Sequence, residues 1–363
     1  MKLLNLLNQV LPKKDKRLVL YANLGFRDNV KALYDDLIRR GYAQDYELVC
    51  VSKEFYATPR VPGVRYVNPY LGLYYFLTSR YFFYCFGKYP IKPSKNQEVI
   101  NLWHGMPLKK IGNLQPGLEH KDYNYFTKLV ASSPMFLPIM QDAFRAREEQ
   151  MLLLGNVRND ELFHKDIGDE IVWMPTYRAS KGNQEGSDST LIFNLNQEDW
   201  LELDQCLLSR GRKLALKLHP LEEQAVSVPA SCQAIRLLTD QTLSQAGLSL
   251  YQYLGTTVGL ITDYSSVFLD YLLLDRPLAF TRDDLALYGQ DRGFVFDDLT
   301  DFLVGPQLAT LADLKSYVDQ TLSGASDPYR EQRQQLNERV NSRKRDFCQA
   351  LLDELGLPRQ VGG

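Results

Sequence analysis

Short apolar runs alternate along this chain with stretches in which apolar residues recur every three or four positions. Runs of four to six apolar residues with little polar alternation read as strands buried on both faces, and the intervening stretches as amphipathic helices that cover them. That alternation is the signature of a parallel α/β sheet. In the first half, strands are expected at Arg17–Ala22, Glu47–Val51, Tyr81–Phe86, Glu98–Trp103 and Lys128–Ser132. Between them Asn29–Arg40 reads as a helix, with Val30, Leu33, Leu37 and Ile38 on one face. Pro134 opens another, expected to run to about Glu149. In the second half the strands are Glu170–Met174, Lys213–Leu218, Ala234–Leu237, Gly259–Thr262 and Pro277–Phe280. Helices fall near Gln197–Ser209, Ser265–Leu274 and Leu311–Leu322, with a long polar one over Tyr329–Leu355.

The alternation restarts after about residue 165, so two doubly wound domains, 1–165 and 166–363, with a cleft between them are the simplest architecture. A loop of low periodicity, Ala179–Ser189, interrupts the second. The most apolar stretch, Tyr70–Gly87, is broken by Arg80 and reads as a helix followed by a strand. A membrane span would need about 18 apolar residues in a row.

Charge changes this picture. The net charge is only −2 over 363 residues, yet residues 1–150 carry 22 Lys and Arg against 13 Asp and Glu, and the remainder 20 against 31. A basic first half suits an anionic partner, either a phosphate-bearing substrate or an anionic membrane surface. The positive charges are spread rather than gathered on one periodic face, which excludes a nucleic-acid binder. At the amino terminus Leu3, Leu4, Leu7 and Leu11 share a helical face, followed by Lys13, Lys14, Lys16 and Arg17. Two readings stay open there, an interfacial helix or a short helix packed on its own domain. The segment has no small-residue cleavage site and is not a secretory signal. The five scattered cysteines form no CxxC pair, pointing to reduced thiols rather than a disulfide frame or a zinc site.

Four stretches carry candidate chemistry. In ITDYSSVFLDYLLLDRP (Ile261–Pro277) an apolar strand ends at Thr262 and a helix begins shortly after, with Asp263, Ser265 and Ser266 at the junction. Hydroxyls beside the unpaired N–H groups of a helix start form an anion cradle, most often for phosphate; simple helix capping is the competing explanation. In LALKLHP (Leu214–Pro220) alternation places Lys217 and His219 on one face at a strand's carboxyl end, where His219 can donate to a phosphate oxygen or sit as a surface histidine. In MPTYR (Met174–Arg178), Arg178 has the fork geometry for a diphosphate. In NLWHGMPLKKIG (Asn101–Gly112) a strand exits into His104-Gly105; Gly105 permits close approach of a ligand, and Pro107 is expected to start a helix with Lys109 and Lys110 in its first turns. His104 at that edge is a natural general base, with a histidine bonded inside a tight turn as the structural alternative. His120 and His164 lack metal-ligand spacing, so neither a metal nor a cofactor is expected.

Together with GFRDNVKALYDDL (Gly25–Leu37), LLLGNVRND (Leu152–Asp160) and YGQDRG (Tyr288–Gly293), these stretches resemble in order the motifs of the CDP-glycerol glycerophosphotransferases, the family of teichoic acid primases and polymerases. The resemblance spans about residues 20–300. It implies a GT-B-like α/β fold of two Rossmann-type domains, the first binding the acceptor and the second the CDP-alcohol. It also implies peripheral association with the inner face of the cytoplasmic membrane, because the acceptors are lipid-linked, polyprenyl-type glycans. The donor would be CDP-glycerol or CDP-ribitol. By the resemblance, His104 is the base that activates the acceptor hydroxyl, and His219 engages the donor pyrophosphate. Ser265 and Ser266 match the serines that bind donor phosphate and Arg178 a donor-side arginine, with Asp263 shaping the loop; from its own position Lys217 is expected to join the phosphate contacts, and Gly105, Arg158 and Lys109 to support the site. Two departures stand out: Met106 occupies a position usually threonine or serine, and the chain beyond about residue 300 matches the pattern poorly. The absence of a large amino-terminal extension suits a primase or a capsule transferase. The competing functional readings are a GT-B glycosyltransferase using a nucleotide sugar and a catalytically silent scaffold on the membrane.

Overall fold

A computed structural model describes residues 2–55, 58–163, 165–175, 195–218, 226–263, 265–281, 293–322 and 326–357. The chain divides into two compact units. The first comprises Met1–Met106, Ile111–Asp160 and Arg339–Gly363; the second comprises Pro107–Lys110 and Glu161–Glu338.

The first unit is built on seven parallel strands: β1 (Lys14–Tyr21), β2 (Glu47–Val51), β3 (Arg65–Val67), β4 (Ser79–Tyr84), β5 (Glu98–Asn101), β6 (Lys128–Ala131) and β7 (Met151–Leu153). Their order is β3-β2-β1-β4-β5-β6-β7. The central strands are buried on both faces, which is why Leu18–Leu20 and Leu48–Val51 are uninterrupted apolar runs. Helices α1 (Lys2–Val10), α2 (Asp28–Arg39), α3 (Pro69–Thr78) and α4 (Leu137–Phe144) belong to this unit. The second unit has five parallel strands, β8 (Glu170–Met174), β9 (Lys213–Leu216), β10 (Ile235–Leu237), β11 (Gly259–Thr262) and β12 (Leu278–Phe280), in the order β10-β9-β8-β11-β12. Its core gathers Trp173, Trp200, Leu207, Leu216 and Tyr317. In each unit the strand order reverses beside the first strand, between β1 and β4 and between β8 and β11. Open α/β sheets bind ligands at the carboxyl ends of the strands flanking such a reversal.

Several expected elements differ. The helix opened by Pro134 stops at Phe144, where Arg145 takes φ 50° and its N–H pairs with the Gln141 carbonyl. The long polar helix is two helices, α10 (Arg330–Val340) and α11 (Phe347–Glu354), separated by a break in which Asp346 has φ 57°. The break is fixed from outside: the Asp160 carboxylate accepts the Phe347 and Cys348 N–H groups at 3.0 and 2.8 Å. Residues 339–357 therefore group with the first unit, whereas a division at residue 165 places them in the second. Between these lie α5 (Gln197–Ser209), α6 (Asp240–Gln245), α7 (Leu250–Leu254), α8 (Val267–Tyr271) and α9 (Leu311–Gln320).

α1 is oriented opposite to a conventional surface helix. Its polar side faces the protein: buried Asn8 donates to the Lys92 carbonyl at 3.0 Å and to Gln97 Oε1 at 2.7 Å, and Asn5 Oδ1 accepts the Lys92 N–H at 2.9 Å. Leu3, Leu6, Leu7 and Val10 point outward, and the neighbouring α3 exposes Tyr70, Leu71 and Tyr74. No helix among the described residues is long and apolar enough to cross a membrane.

Candidate active site

In the first unit the site begins where β5 ends. Asn101 Oδ1 accepts the Trp103 N–H at 3.0 Å, and the chain reverses with φ 53° at Trp103 and 120° at Gly105. A left-handed backbone costs a non-glycine residue roughly 1–2 kcal/mol, so this reversal needs support from outside itself. Asn29 supplies it, donating from Nδ2 to the carbonyls of Trp103 at 2.9 Å and Leu102 at 3.3 Å. The reversal places His104 against two rings: nearly parallel to Phe86 with centroids 5.0 Å apart, and tilted on Trp103 at 4.1 Å. Burial draws its pKa below the ordinary imidazole value of 6.5; the Asp28 charge opposes that shift and the Arg158 charge adds to it. The imidazole is therefore neutral near pH 7, the form able to accept a proton.

Arg158, expected only as a supporting residue, is a fixed part of this edge. Its guanidinium donates to both Asp28 oxygens at 2.7 and 2.8 Å, and its backbone N–H donates to Asn29 Oδ1 at 3.0 Å. Asp28 and Asn29, previously only letters within a longer motif, are thus joined to the Gly155–Asp160 segment some 130 residues away. Only the Asp-Asn pair at the exit of β1 hinted at this role.

The segment after His104 corrects one expectation. Pro107 starts no helix: Leu108–Lys110 runs extended, pairing with Gly293–Val295 through the Lys110 N–H to the Gly293 carbonyl (3.1 Å) and the Val295 N–H to the Leu108 carbonyl (2.9 Å). Backbone pairing with this strand-like partner competes successfully with helix initiation, and Lys109 lies in the bridge. Met106 is almost wholly buried, and its sulfur accepts the Ser132 N–H at 3.4 Å.

In the second unit β11 leads into the Asp263–Ser266 junction beside the reversal point. Asp263 is fully buried, and its Oδ1 accepts the Ser265 N–H at 3.1 Å, so this carboxylate shapes the loop. Ser266 is the residue before α8 but makes no side-chain capping bond, so capping does not explain its hydroxyl. Both serines are half-buried. Lys217 is almost buried, and its ammonium pairs with Asp240 at 2.9 Å, so a phosphate there would share it with a carboxylate. Arg178 and His219 lie outside the described residues, as do His164, the Ala179–Ser189 loop and most of YGQDRG. Among the described residues, no group of three or more His, Cys, Asp or Glu is gathered that could hold a metal ion.

The sequence profile described as CDP-glycerol:poly(glycerophosphate) glycerophosphotransferase matches residues 3–346. The match continues well past residue 300, beyond the last of the recognisable motifs, so the poor agreement expected there does not extend to the family as a whole. A teichoic acid ribitol-phosphate primase of Bacillus spizizenii is 30% identical over 271 residues, covering 65% of each chain. A teichoic acid glycerol-phosphate transferase of Staphylococcus aureus is 29% identical over 264 residues, 63% of this chain and 64% of that one. The matched stretch thus spans a little less than two thirds of these curated relatives. Among solved structures, the wall teichoic acid polymerase TagF superposes with a TM-score of 0.72 at 22% identity, covering 96% of this chain and 91% of that one, which establishes the GT-B-like fold. The profile match covers nearly the whole sequence, and the chain belongs to the CDP-glycerol:poly(glycerophosphate) glycerophosphotransferase family.

Proposed function

We propose that this protein transfers glycerol phosphate, or ribitol phosphate, from a CDP-alcohol to a hydroxyl of a lipid-linked glycan in the synthesis of a teichoic-acid-like or capsule polymer. The observation that carries this reading is His104, a neutral imidazole presented by a strained turn at the carboxyl edge of the first sheet in a chain of this family. In the reaction, His104 takes the proton of the acceptor hydroxyl, whose oxygen bonds to the donor β-phosphorus. The bond from that phosphorus to the bridging oxygen breaks and CMP leaves. Charge on the leaving group is met by Ser265, Ser266, Lys217, Arg178 and His219, the donor-side set in the second unit. Relatives named for glycerol phosphate and for ribitol phosphate are both similar to this chain, and a variant of TagF has been solved after a soak with CDPG. Both support an alditol-phosphate donor.

The acceptor is lipid-linked, and α1 with α3 is the surface that meets the bilayer. Outward leucines and tyrosines, with exposed Lys14 and Lys16 just beyond α1, suit the interface of an anionic membrane. The protein acts at the cytoplasmic face as a peripheral enzyme, with domain 1 on the acceptor side and domain 2 on the donor side. Incubation of the purified protein with CDP-glycerol, CDP-ribitol and a panel of nucleotide sugars, each with a polyprenyl-diphosphate glycan, tests the reading. CMP formation that requires a CDP-alcohol is expected; turnover confined to a nucleotide sugar would sink it, and no turnover with any donor would favour a scaffold.

A further inference from the structure

Two backbone anomalies meet around one ion pair. Asp28 and Trp103 are both non-glycine residues with positive φ, 62° and 53°, at the exits of different strands. Asn29 bridges them: its side chain holds the Leu102 and Trp103 carbonyls, and its own oxygen takes the Arg158 N–H. Arg158 in turn holds both oxygens of Asp28, whose Oδ1 also accepts the Asn29 N–H at 2.6 Å. The Arg158 and Asp28 side chains are only 8% and 15% exposed. Burying such a pair is a poor way to gain stability, because desolvation offsets most of the attraction. Keeping it next to a strained turn and a histidine therefore calls for another reason.

We propose that Asp28, clamped by Arg158, is the electrostatic positioning residue of His104, and that Asn29 is the strut that aims the ring. This rests on His104 being the base. When the acceptor O–H gives up its proton, the oxygen–phosphorus bond forms, CMP departs with the electrons of the broken bond, and the imidazole becomes imidazolium. A fixed carboxylate within Coulomb range stabilises that new positive charge, while Arg158 keeps the carboxylate in place and limits its pull on the resting imidazole. Behind the stacked Phe86 ring lie Arg27, whose guanidinium is 5.6 Å from that ring's centroid, and the buried Cys85 thiol, which donates to the Arg27 carbonyl and which burial keeps protonated. Neither supplies a negative charge.

The test combines two readouts on the full-length protein: histidine ring titration by NMR, tractable with only four histidines, and the pH dependence of kcat with CDP-glycerol. D28N is expected to move the His104 titration and the acidic limb of kcat to lower pH, and to lower kcat about 10- to 100-fold with little change in donor KM. R158Q leaves the carboxylate unbalanced and is expected to move both to higher pH. The opposite signs matter, because a merely structural role, in which either variant loosens the packing that buries the ring, would move both titrations the same way. Unmoved titrations in folded variants, or shifts of the same sign, overturn the proposal. Should D28N not fold, D28E and R158Q carry the comparison, with D28E expected to leave the titration in place and R158Q to raise it. H104Q separates the two layers: full activity there refutes the base assignment, whereas loss of activity with an unmoved titration in D28N refutes only the role of Asp28.

Discussion

Replacing Leu3 and Leu6 by glutamine separates the two ways of reading the amino-terminal helix. Leu3 is 68% and Leu6 62% exposed, together a little more than the surface of one whole leucine, and both point away from the domain. Complete burial of a leucine side chain is worth about 1.5–3 kcal/mol, so L3Q/L6Q removes roughly 2–4 kcal/mol of insertion energy. That is a fall of about 30-fold or more in the partition coefficient. Flotation with vesicles containing anionic lipid, at low and high salt, measures it; the apolar part is expected to persist in high salt and to vanish in the variant. Fold stability by urea unfolding is expected to change by less than about 0.5 kcal/mol, as for other solvent-facing substitutions. By contrast N8A, which empties the buried side of the helix, is expected to cost about 1–3 kcal/mol by removing one hydrogen bond each from the Lys92 carbonyl, Gln97 and Lys13. Unchanged partitioning in L3Q/L6Q, or a stability loss as large as that of N8A, would refute the membrane-facing assignment and restore the reading of a helix packed on its own domain.

Other outcomes follow from the same geometry. Gly155 has φ 87°, and a Cβ there would lie 2.9 Å from the Phe347 ring, so G155A is expected to destabilise the protein by about 1–3 kcal/mol in urea titration. S266A leaves no capping bond to lose and should keep the melting temperature of the wild type while raising donor KM about tenfold or more; a drop in stability with unchanged KM would make that serine structural. Because burial lowers the His104 pKa, the acidic limb of kcat/KM is expected below pH 6.5, with activity lost as the ring protonates on acidification; a limb at or above that value would contradict the environment described.

What the sequence carried, and what it did not, divides by the range of the interaction. Glu47–Val51, Glu170–Met174 and Gly259–Thr262 are strands with the expected bounds, and Gln197–Ser209 is the expected helix, because a buried run or an amphipathic period is a local property. The three-residue strands β3 and β7 at the edges of the first sheet were invisible, since so few residues establish no pattern. His104 at a strand exit was legible from its neighbours Trp103 and Gly105. Its setting was not: Asp28 and Arg158 are 130 positions apart, and nothing in either segment announces the other. The same limit explains Pro107–Lys110, where a pairing with Gly293–Val295 overrides a local helix signal, and α11, whose return to the first unit depends on the Asp160 carboxylate.

The chemistry itself is tested most directly by following the donor phosphates. With CDP-glycerol labelled in the β-phosphate and a polyprenyl-diphosphate glycan as acceptor, the account predicts that the label enters the lipid-linked product, that CMP is released in equal amount, and that H104A abolishes both. Release of labelled CDP, with an alcohol or sugar transferred without its phosphate, would contradict it.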